Sequence, residues 1–309
     1  MTPPGADKII VAVCTYNRNR ELDHLLSKLA EYGKANWTSC CIGITVVDDS
    51  ADGNAKTVAD RYKRSFPLRL VYENSASRNI SIARNLALAN SVRRADWIAM
   101  TDDDCEPSQQ WLPELVRVLK TTKAEVATGL MLRRAPQNAP TWIKEQPFLE
   151  LGEFVAKDCE EMPVANTNNC LISSAFLISN PKLRFDPNFG RIGGEDMAFF
   201  GAFRRAGAKI VFAANAIVHE NEPDERLTVR YQIRRYFWHG NSSSITSLHA
   251  GASRVRLALH GCLTLARAVQ RPLSRIASGS SPQLLYALAK LAEGLGKLAG
   301  TIGIKINHK

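Results

Sequence analysis

Residues 97–107 read Trp-Ile-Ala-Met-Thr-Asp-Asp-Asp-Cys-Glu-Pro, an apolar run that ends in three consecutive carboxylates. Alternate side chains of a strand point to the same side, so Asp102 and Asp104 can converge on one cation while Asp103 faces away. Mg²⁺ and Mn²⁺ prefer carboxylate oxygens and also take phosphate oxygens. The segment therefore predicts a buried strand whose end binds a metal-held diphosphate. The alternative is a solvated turn before a helix that Ser108 caps.

Apolar strands alternate with amphipathic helices on both sides of this segment. Residues 8–14, 41–47 and 69–73 have the composition of strands, and residues 209–212 and 217–218 predict a late one. The spacing of Leu22, Leu25, Leu26 and Leu29 predicts a packed helix, as does that of Leu112, Leu115, Val116 and Leu119. Residues 81–90 and 197–206 are further predicted helices. This order predicts an α/β fold with a mostly parallel central sheet covered by helices.

Polar residues follow three of the predicted strands. They are Thr15-Tyr16-Asn17, Asp48-Asp49 and the triple aspartate. The carboxyl ends of parallel strands lie at one edge of a sheet, and ligands of such folds bind there. We therefore expect these residues to meet along one crevice.

Charge is distributed unevenly along the 309 residues. Residues 1–225 contain 27 Lys and Arg against 29 Asp and Glu, whereas residues 226–309 contain 13 Lys and Arg against one acid, Glu293. The length accommodates one catalytic domain with an extension, and we place the domain at 1–245 and the basic helical extension at 246–309. A tail of this charge attracts an anionic surface, for which a membrane or nucleic acid would qualify.

The tail has an amphipathic pattern. Leu284, Leu288, Leu291, Leu295 and Ala299 share one helical stripe. Such a helix either lies on a lipid interface or packs on its own domain. The chain contains no uninterrupted apolar run of membrane-spanning length, and residues 1–5 do not read as a secretory leader. Seven scattered cysteines without a Cys-x-x-Cys pair favour reduced thiols. We expect a cytoplasmic protein that associates peripherally with the inner membrane.

Six motifs in fixed order resemble the inverting family-two glycosyltransferases with the GT-A fold, the nucleotide-diphospho-sugar transferase fold. They are Cys-Thr-Tyr-Asn-Arg at 14–18, Val-Val-Asp-Asp-Ser at 46–50, Ala-Arg-Asn at 83–85, the triple-aspartate segment, Gly-Gly-Glu-Asp at 193–196, and His219. The resemblance covers about residues 8–245. Among these enzymes, the chain is most similar to those that build bacterial exopolysaccharide repeat units on a lipid carrier, including succinoglycan-type glucosyltransferases.

The resemblance implies a role for each motif in holding a UDP-sugar and a metal. Thr15 and Tyr16 would contact the uridine, and Asp48 or Asp49 would accept hydrogen bonds from the uracil or ribose. Arg84, rather than the nearby Arg78, would lie near the donor phosphates or sugar, although either could be a surface cation. The implied donor-binding and metal-binding residues are, in full, Thr15, Tyr16, Asp48, Asp49, Arg84, Asp102 and Asp103 for the donor, and Asp102, Asp104 and His219 for Mn²⁺ or Mg²⁺.

Gly193-Gly-Glu-Asp196 opens the predicted helix of residues 197–206, which Gly207 ends. Acids in a first helical turn are favoured by the helix dipole without any catalytic role. Under the catalytic hypothesis, Asp196 takes the proton from the acceptor hydroxyl, and Glu195 is the alternative base or a ligand of that hydroxyl. A single displacement needs this base and the metal carboxylates on opposite faces of the sugar, and they do come from distant segments.

The resulting hypothesis is one-step transfer of glucose from UDP-glucose to a polyprenyl-diphosphate-linked oligosaccharide, forming a β-linkage. The asparagines of residues 164–171 would line the acceptor side or form turns, and Tyr236 departs from the Gln-x-x-Arg-Trp pattern of processive relatives. One alternative is a sugar nucleotidylyltransferase, but residues 15–20 lack the glycine-rich loop that it needs. The other is a non-catalytic module that binds a membrane surface or nucleic acid. Nucleic acid is not an expected partner of the enzyme.

Overall fold

The computed structural model describes residues 7–35, 40–149 and 156–307. These residues divide into two compact units. The first comprises the described residues of 1–132, 151–190 and 195–220, and the second those of 133–150, 191–194 and 221–309. Residues 1–5, on which the leader expectation rests, lie outside the described residues. The predicted boundary after residue 245 falls inside a helix that ends at His249, and the division into domain and extension stays a prediction.

The strands of the described residues form one eight-stranded sheet in the order β3-β2-β1-β4-β7-β6-β8-β5. Their bounds are β1 Asp7–Thr15, β2 Cys40–Asp48, β3 Leu70–Asn74, β4 Trp97–Asp102, β5 Cys105–Pro107, β6 Val126–Arg134, β7 Cys170–Ser173 and β8 Ile210–Asn221. The strands predicted in the first half of the chain are all present. The late strand is continuous across the two predicted pieces.

Register in the first half of the sheet aligns the polar strand ends. Strand β1 pairs in parallel with β2 and β4, and β2 pairs in parallel with β3. Thr15 lies opposite Asp48, and Cys14 lies opposite Asp102. The predicted convergence of three strand ends at one edge of the sheet is therefore confirmed.

The second half of the sheet is mixed. Strand β7 runs antiparallel to β4 and β6, and β5 runs antiparallel to β8. Only Asp103 and Asp104 separate β5 from β4 along the chain, yet β5 does not pair with β4 and lies at the edge of the sheet beside β8. The α/β class is confirmed, and the parallel pairing holds for β1 to β4.

The predicted helices are present. The helix bounds are α1 Asn19–Ala35, α2 Lys56–Tyr62, α3 Ile80–Ser91, α4 Trp111–Thr122, α5 Thr141–Glu145, α6 Ser174–Ser179, α7 Glu195–Arg205, α8 Val229–His249, α9 Arg254–Ala277 and α10 Leu284–Thr301. Residues 81–90 lie inside α3, and residues 197–206 overlap α7. The four predicted leucines of α1 are fully buried in the core beside the sheet. Each such side chain contributes about 1.5–3 kcal/mol by leaving water.

Helix α10 packs on α8 and α9 within the second unit, through small residues. Ala289, Ala292, Gly296 and Gly300 are buried there, whereas Leu284, Leu288 and Leu295 of the predicted stripe are 63%, 44% and 53% exposed. A Cβ on Gly296 would lie 2.0 Å from the carbonyl oxygen of Phe237 on α8. The backbones therefore approach too closely for leucines to fit between them. Within the described ranges, every helix is either too short or too polar to span a bilayer.

We expect Gly296→Ala to lower the free energy of unfolding by about 1–3 kcal/mol, because the added methyl group meets a backbone carbonyl that cannot rotate away. Urea unfolding of the full chain would measure this loss. Gly201→Ala in α7 is the matched control, since its Cβ would meet only the flexible end of Arg205 at 3.5 Å. The control should be neutral or stabilising by up to about 1 kcal/mol. Equal effects of the two substitutions would contradict the close packing.

Candidate active site

The turn between β4 and β5 is stabilised by an arginine from the start of the chain. The side chain of Arg18 lies 3.0 Å from Asp103 Oδ1 and 2.8 Å from Asp104 Oδ2, measured from Nη1. The hydroxyl of Thr15 donates to Asp103 Oδ2 at 2.8 Å. Asp103 is therefore buried and turned into the protein, as the alternation along the strand predicted. Burial raises the pKa of Asp103 to about 6, against the lowering effect of Arg18.

A second arginine connects the triple aspartate to the start of α7. Arg84 Nη1 lies 2.7 Å from Glu195 Oε1 and 2.8 Å from Asp196 Oδ1, while Nη2 lies 3.4 Å from Asp102 Oδ1. The arginine side chain is only 7% exposed. Burial alone would lower the pKa of Arg84, but Asp196, Glu195 and Asp102 raise it, so the guanidinium stays charged. One cation thus bridges the predicted metal carboxylate and both predicted bases.

The local fold of α3 fixes the direction of Arg84. Asn79 caps the helix by accepting from the backbone amides of Ser81 and Ile82. Asn85 then holds the backbone of Phe185 with both of its amide atoms, at 2.8 and 2.9 Å. The guanidinium of Arg84 lies 5.7 Å from the centre of the Phe185 ring, within cation–π range. The Ala-Arg-Asn motif therefore supplies the cation and the residue that anchors its support.

Asp196 is held on both oxygens. Its Oδ2 accepts from the backbone amide of Thr167 at 3.0 Å and from the Thr167 hydroxyl at 2.8 Å, and its Oδ1 faces Arg84. The side chain remains 22% exposed, compared with 14% for Glu195. Burial, followed by the charge of Asp196, raises the pKa of Glu195 above its usual value. A carboxylate accepts about four hydrogen bonds, so Asp196 retains capacity for an acceptor hydroxyl.

Two glycines precede these acids. Gly193 and Gly194 have φ values of +80° and +87°, a region that L side chains rarely adopt. The chain therefore turns sharply before α7 begins at Glu195. This turn explains the Gly-Gly pair of the motif. Gly207, at φ +92°, follows the end of α7 as predicted.

The two acids after β2 have different surroundings. Both oxygens of Asp48 are engaged within the protein, by the amides of Ser50 and Ala55 and by the hydroxyls of Ser50 and Tyr72. Asp48 is fully buried and organises this loop. Asp49 accepts on Oδ1 from Ser75 and Ser77, and is 5% exposed. This arrangement favours Asp49 over Asp48 for contact with a nucleoside, which stays a prediction.

The predicted metal set of Asp102, Asp104 and His219 is not gathered into one cluster. Throughout the described ranges, no three His, Cys, Asp or Glu side chains stand close enough to hold an ion. His219 on β8 lies in register with Glu106, while Asp102 and Asp104 face arginines. The assignment of Asp104 and Asp102 to a metal, with His219 as a further ligand, stays a prediction. Mg²⁺ and Mn²⁺ sites that are shared with phosphate use one or two carboxylates, and both aspartates reach solvent, so this donor set still fits.

Burial raises the pKa of Asp102 to about 7; Arg84 opposes this shift, while Asp104, Asp196 and Asp103 add to it. The side chain of Asp102 nevertheless remains 41% exposed. A partly exposed carboxylate among other acids is stabilised by any cation that reaches it. The excess negative charge of this acidic cluster therefore favours cation binding.

Other polar motifs have structural partners. Asn169 accepts from the indole of Trp111 and donates to the carbonyls of Leu130 and Ala216, so it connects strands rather than reaching a sugar. In the second unit, Gln232 donates to the carbonyl of Arg226, and Arg235 pairs with the buried Glu222 at 2.8 Å. These contacts account for the Gln-x-x-Arg residues without a ligand.

Sequence reasoning assigned no role to Arg18 or Thr167. Arg18 is the last residue of the Cys-Thr-Tyr-Asn-Arg motif, which was the available signal. Thr167 lies among the asparagines of residues 164–171, and nothing local distinguishes it. Both act on residues far away in sequence.

Comparison with known proteins identifies the family. Residues 10–178 match the model described as glycosyl transferase family 2. This is more than half of the chain. The chain belongs to glycosyl transferase family 2. It is therefore a glycosyltransferase, as predicted, and the nucleotidylyltransferase alternative loses its support.

One relative and several solved structures are similar to this family member. The succinoglycan biosynthesis protein ExoM of Rhizobium meliloti (strain 1021) is 31% identical over 236 residues, which are 76% of this chain and 73% of that protein. The mannosyltransferase PcManGT of Pyrobaculum calidifontis, solved with GDP-Man and Mn²⁺, has a TM-score of 0.58 at 16% identity and covers 97% of this chain and 75% of its own. S. aureus TarS 1–349 with UDP-GlcNAc has a TM-score of 0.51 at 16% identity, and the match covers 94% of this chain and 89% of that one. These solved structures establish the GT-A fold. The match to a longer TarS chain covers 39% of that chain.

We expect Arg84→Met to lower the free energy of unfolding by about 3 kcal/mol at pH 8, because it leaves Glu195 and Asp196 adjacent and uncompensated. The loss should be smaller at pH 5. The folded pKa of Glu195 already lies above its unfolded value, so the charged carboxyl destabilises the fold as pH rises through that interval. Removing the Arg84 guanidinium raises the folded pKa of Glu195 further, so the difference between its folded and unfolded pKa becomes larger.

Urea unfolding at the two pH values would measure this difference. The matched control adds Glu195→Gln and Asp196→Asn to Arg84→Met, which should restore most of the lost stability at pH 8. A loss of equal size at both pH values, with no recovery in the triple variant, would show that the role of Arg84 is packing alone.

Proposed function

We propose that this chain transfers a single glucose from UDP-glucose to a polyprenyl-diphosphate-linked oligosaccharide, with inversion to a β-linkage, during assembly of an exopolysaccharide repeat unit. The reaction would take place at the cytoplasmic face of the inner membrane. The basic tail, with 13 Lys and Arg against one acid, supports this location. The name of the relative ExoM supports the place in exopolysaccharide synthesis.

The proposal depends mainly on Arg84, whose side chain contacts carboxylates from two different segments. One guanidinium contacts Asp102 at the end of β4 and Asp196 at the start of α7. The two carboxylates therefore lie on either side of one buried cation. This arrangement supports inverting displacement, which needs a base on one face of the sugar and the leaving group on the other.

On the acceptor side, Asp196 is the proposed base. Thr167 and Arg84 fix both of its oxygens, so the carboxylate cannot rotate away from an incoming hydroxyl. It would accept the hydroxyl proton as the oxygen attacks the anomeric carbon, whose bond to the diphosphate breaks. Glu195 is the alternative base or a hydrogen-bond partner of the same hydroxyl.

On the donor side, Asp104 and Asp102 would hold Mn²⁺ or Mg²⁺, with His219 as a proposed further ligand. A bound divalent cation neutralises charge that develops on a departing diphosphate. Arg18 contacts Asp104 and is 40% exposed, so it can turn toward phosphate oxygens when a cation takes its place. The Mn²⁺ in the structure of PcManGT supports a metal requirement.

The nucleoside would bind beside the ends of β1 and β2. Tyr16 is half-buried there, and the adjacent Thr15 orients Asp103. Asp49 is the proposed partner of the uracil or ribose, since Asp48 already holds its loop. TarS has been solved with UDP-GlcNAc, which supports a uridine donor.

We expect Asp196→Asn to reduce kcat about 10²–10⁴-fold while UDP binding changes little, because the amide cannot accept the proton but keeps a similar shape. Turnover of UDP-glucose with membranes that carry lipid-linked oligosaccharide would measure kcat, and calorimetry would measure UDP binding. Glu195→Gln is the matched comparison and should lose less activity. Full activity of both variants would remove the base assignment.

The donor is tested by a panel of nucleotide sugars offered with Mn²⁺ or Mg²⁺ and the same membranes. UDP release should be metal-dependent and specific to UDP-glucose, and Asp104→Asn should abolish it. Release from a different nucleotide sugar would correct the donor without changing the site. Undiminished release in the presence of a chelator would exclude the metal.

A further inference from the structure

We propose that the exposed apolar face of α9 and α10 is the surface that docks on an anionic lipid bilayer. This leucine face consists of Val255, Leu259, Leu263, Val269, Leu273 and Ile276 on α9, and of Leu284, Leu288 and Leu295 on α10. The inference deepens the membrane location in the proposed function by assigning it to particular residues. The members of the face are 44–70% exposed.

Spacing places the α9 members on one side of their helix. At about 100° per residue, the six positions fall within roughly 140° of arc. The buried residues of α9, Gly261, Thr264, Ala268 and Pro272, lie on a different side, where the helix packs within its unit. A surface helix normally turns its apolar side inward. Here α9 instead buries small residues and exposes its large ones.

The two helices present their apolar stripes on the same side of the pair. Close approaches join Gly261 to Leu298 and Leu265 to Gly294, so the helices run antiparallel. On α9, the exposed stripe lies about a quarter-turn around the helix axis from Gly261 and Leu265. On α10, it lies about a quarter-turn from Gly294 and Leu298, in the same rotational sense. Because the helix directions are opposite, equal rotations bring both stripes to one side. Together they form one apolar surface, whose α9 members run from Val255 to Ile276, about 32 Å along the helix.

The basic charge beside the leucine face indicates which partner covers it. The acid Glu293 is already paired with Lys290 and Lys297. Arg256 and Arg267 are exposed on α9 beside the leucine face. A second copy of the chain would bring two strongly basic tails together, whereas a bilayer with anionic headgroups neutralises them. Helices that lie at a membrane interface have the same pattern, with apolar residues on one side and basic residues beside them.

Co-sedimentation of the full chain with lipid vesicles tests the proposal. The vesicles contain phosphatidylcholine alone or with about 30% phosphatidylglycerol. Wild-type protein should bind the anionic vesicles, and binding should weaken at about 0.5 M NaCl. Leu259→Ser with Leu263→Ser should reduce binding at least about tenfold, because two buried side chains leave the acyl region. Arg256→Gln with Arg267→Gln should remove much of the salt-sensitive part.

Ile178→Ser is the matched control, since Ile178 is 57% exposed in the first unit, and it should bind vesicles like wild type. Circular dichroism would confirm that every variant is folded. Wild-type binding by the double leucine variant would overturn the proposal. A wild-type dimer that becomes a monomer in that variant, measured by light scattering without lipid, would instead make a second copy the occupant.

The assay contains no nucleotide sugar, so its outcome does not depend on the donor or the base. UDP release from UDP-glucose with detergent-dispersed acceptor should be unchanged in the leucine variant. Loss of vesicle binding with retained release supports the docking surface. Retained vesicle binding by the leucine variant rejects this surface whether or not transfer occurs.

Discussion

The site depends on a charge constraint: more carboxylates meet at the ends of the strands than the protein could tolerate without cations. Arg84 and Arg18 neutralise part of this charge from within the fold. They face five acids, Asp102, Asp103, Asp104, Glu195 and Asp196. Two guanidiniums against five carboxylates leave this group of side chains negative as long as no more than two of the acids are protonated. The remaining negative charge attracts cations.

Most of the fold could be predicted from the sequence, because the spacing of apolar residues indicates which side of a helix or strand is buried. The buried strands and the leucine helix α1 follow from it directly. The antiparallel pairing of β5 does not, because its partner strand β8 is distant in sequence, with Cys105 opposite Glu220. Periodicity also found the stripe of α10 but could not tell which side faces inward. Close contacts at Gly296 and Gly240 decide that, since only glycine lets the helix backbones approach so closely.

For the site, sequence patterns located the chemistry but not the partners. The predicted residues at the strand ends do lie side by side, since register follows from neighbouring parallel strands. The contacts of Arg84 with Glu195 and of Arg18 with Asp103 span 111 and 85 residues. No local pattern encodes such distances. Asp48 and Asp49 are adjacent and chemically alike, and only the donors that surround Asp48 assign it to the loop.

The pairing of Asn85 with the backbone of Phe185 has a consequence for genetics. Asn85 neither faces the acids nor carries charge, yet its amide fixes the ring on which Arg84 rests. A missense change at this asparagine would disturb the guanidinium while leaving every carboxylate in the chain. An assay of sugar transfer would rank such a variant beside variants of the carboxylates, although its cause would be a displaced guanidinium.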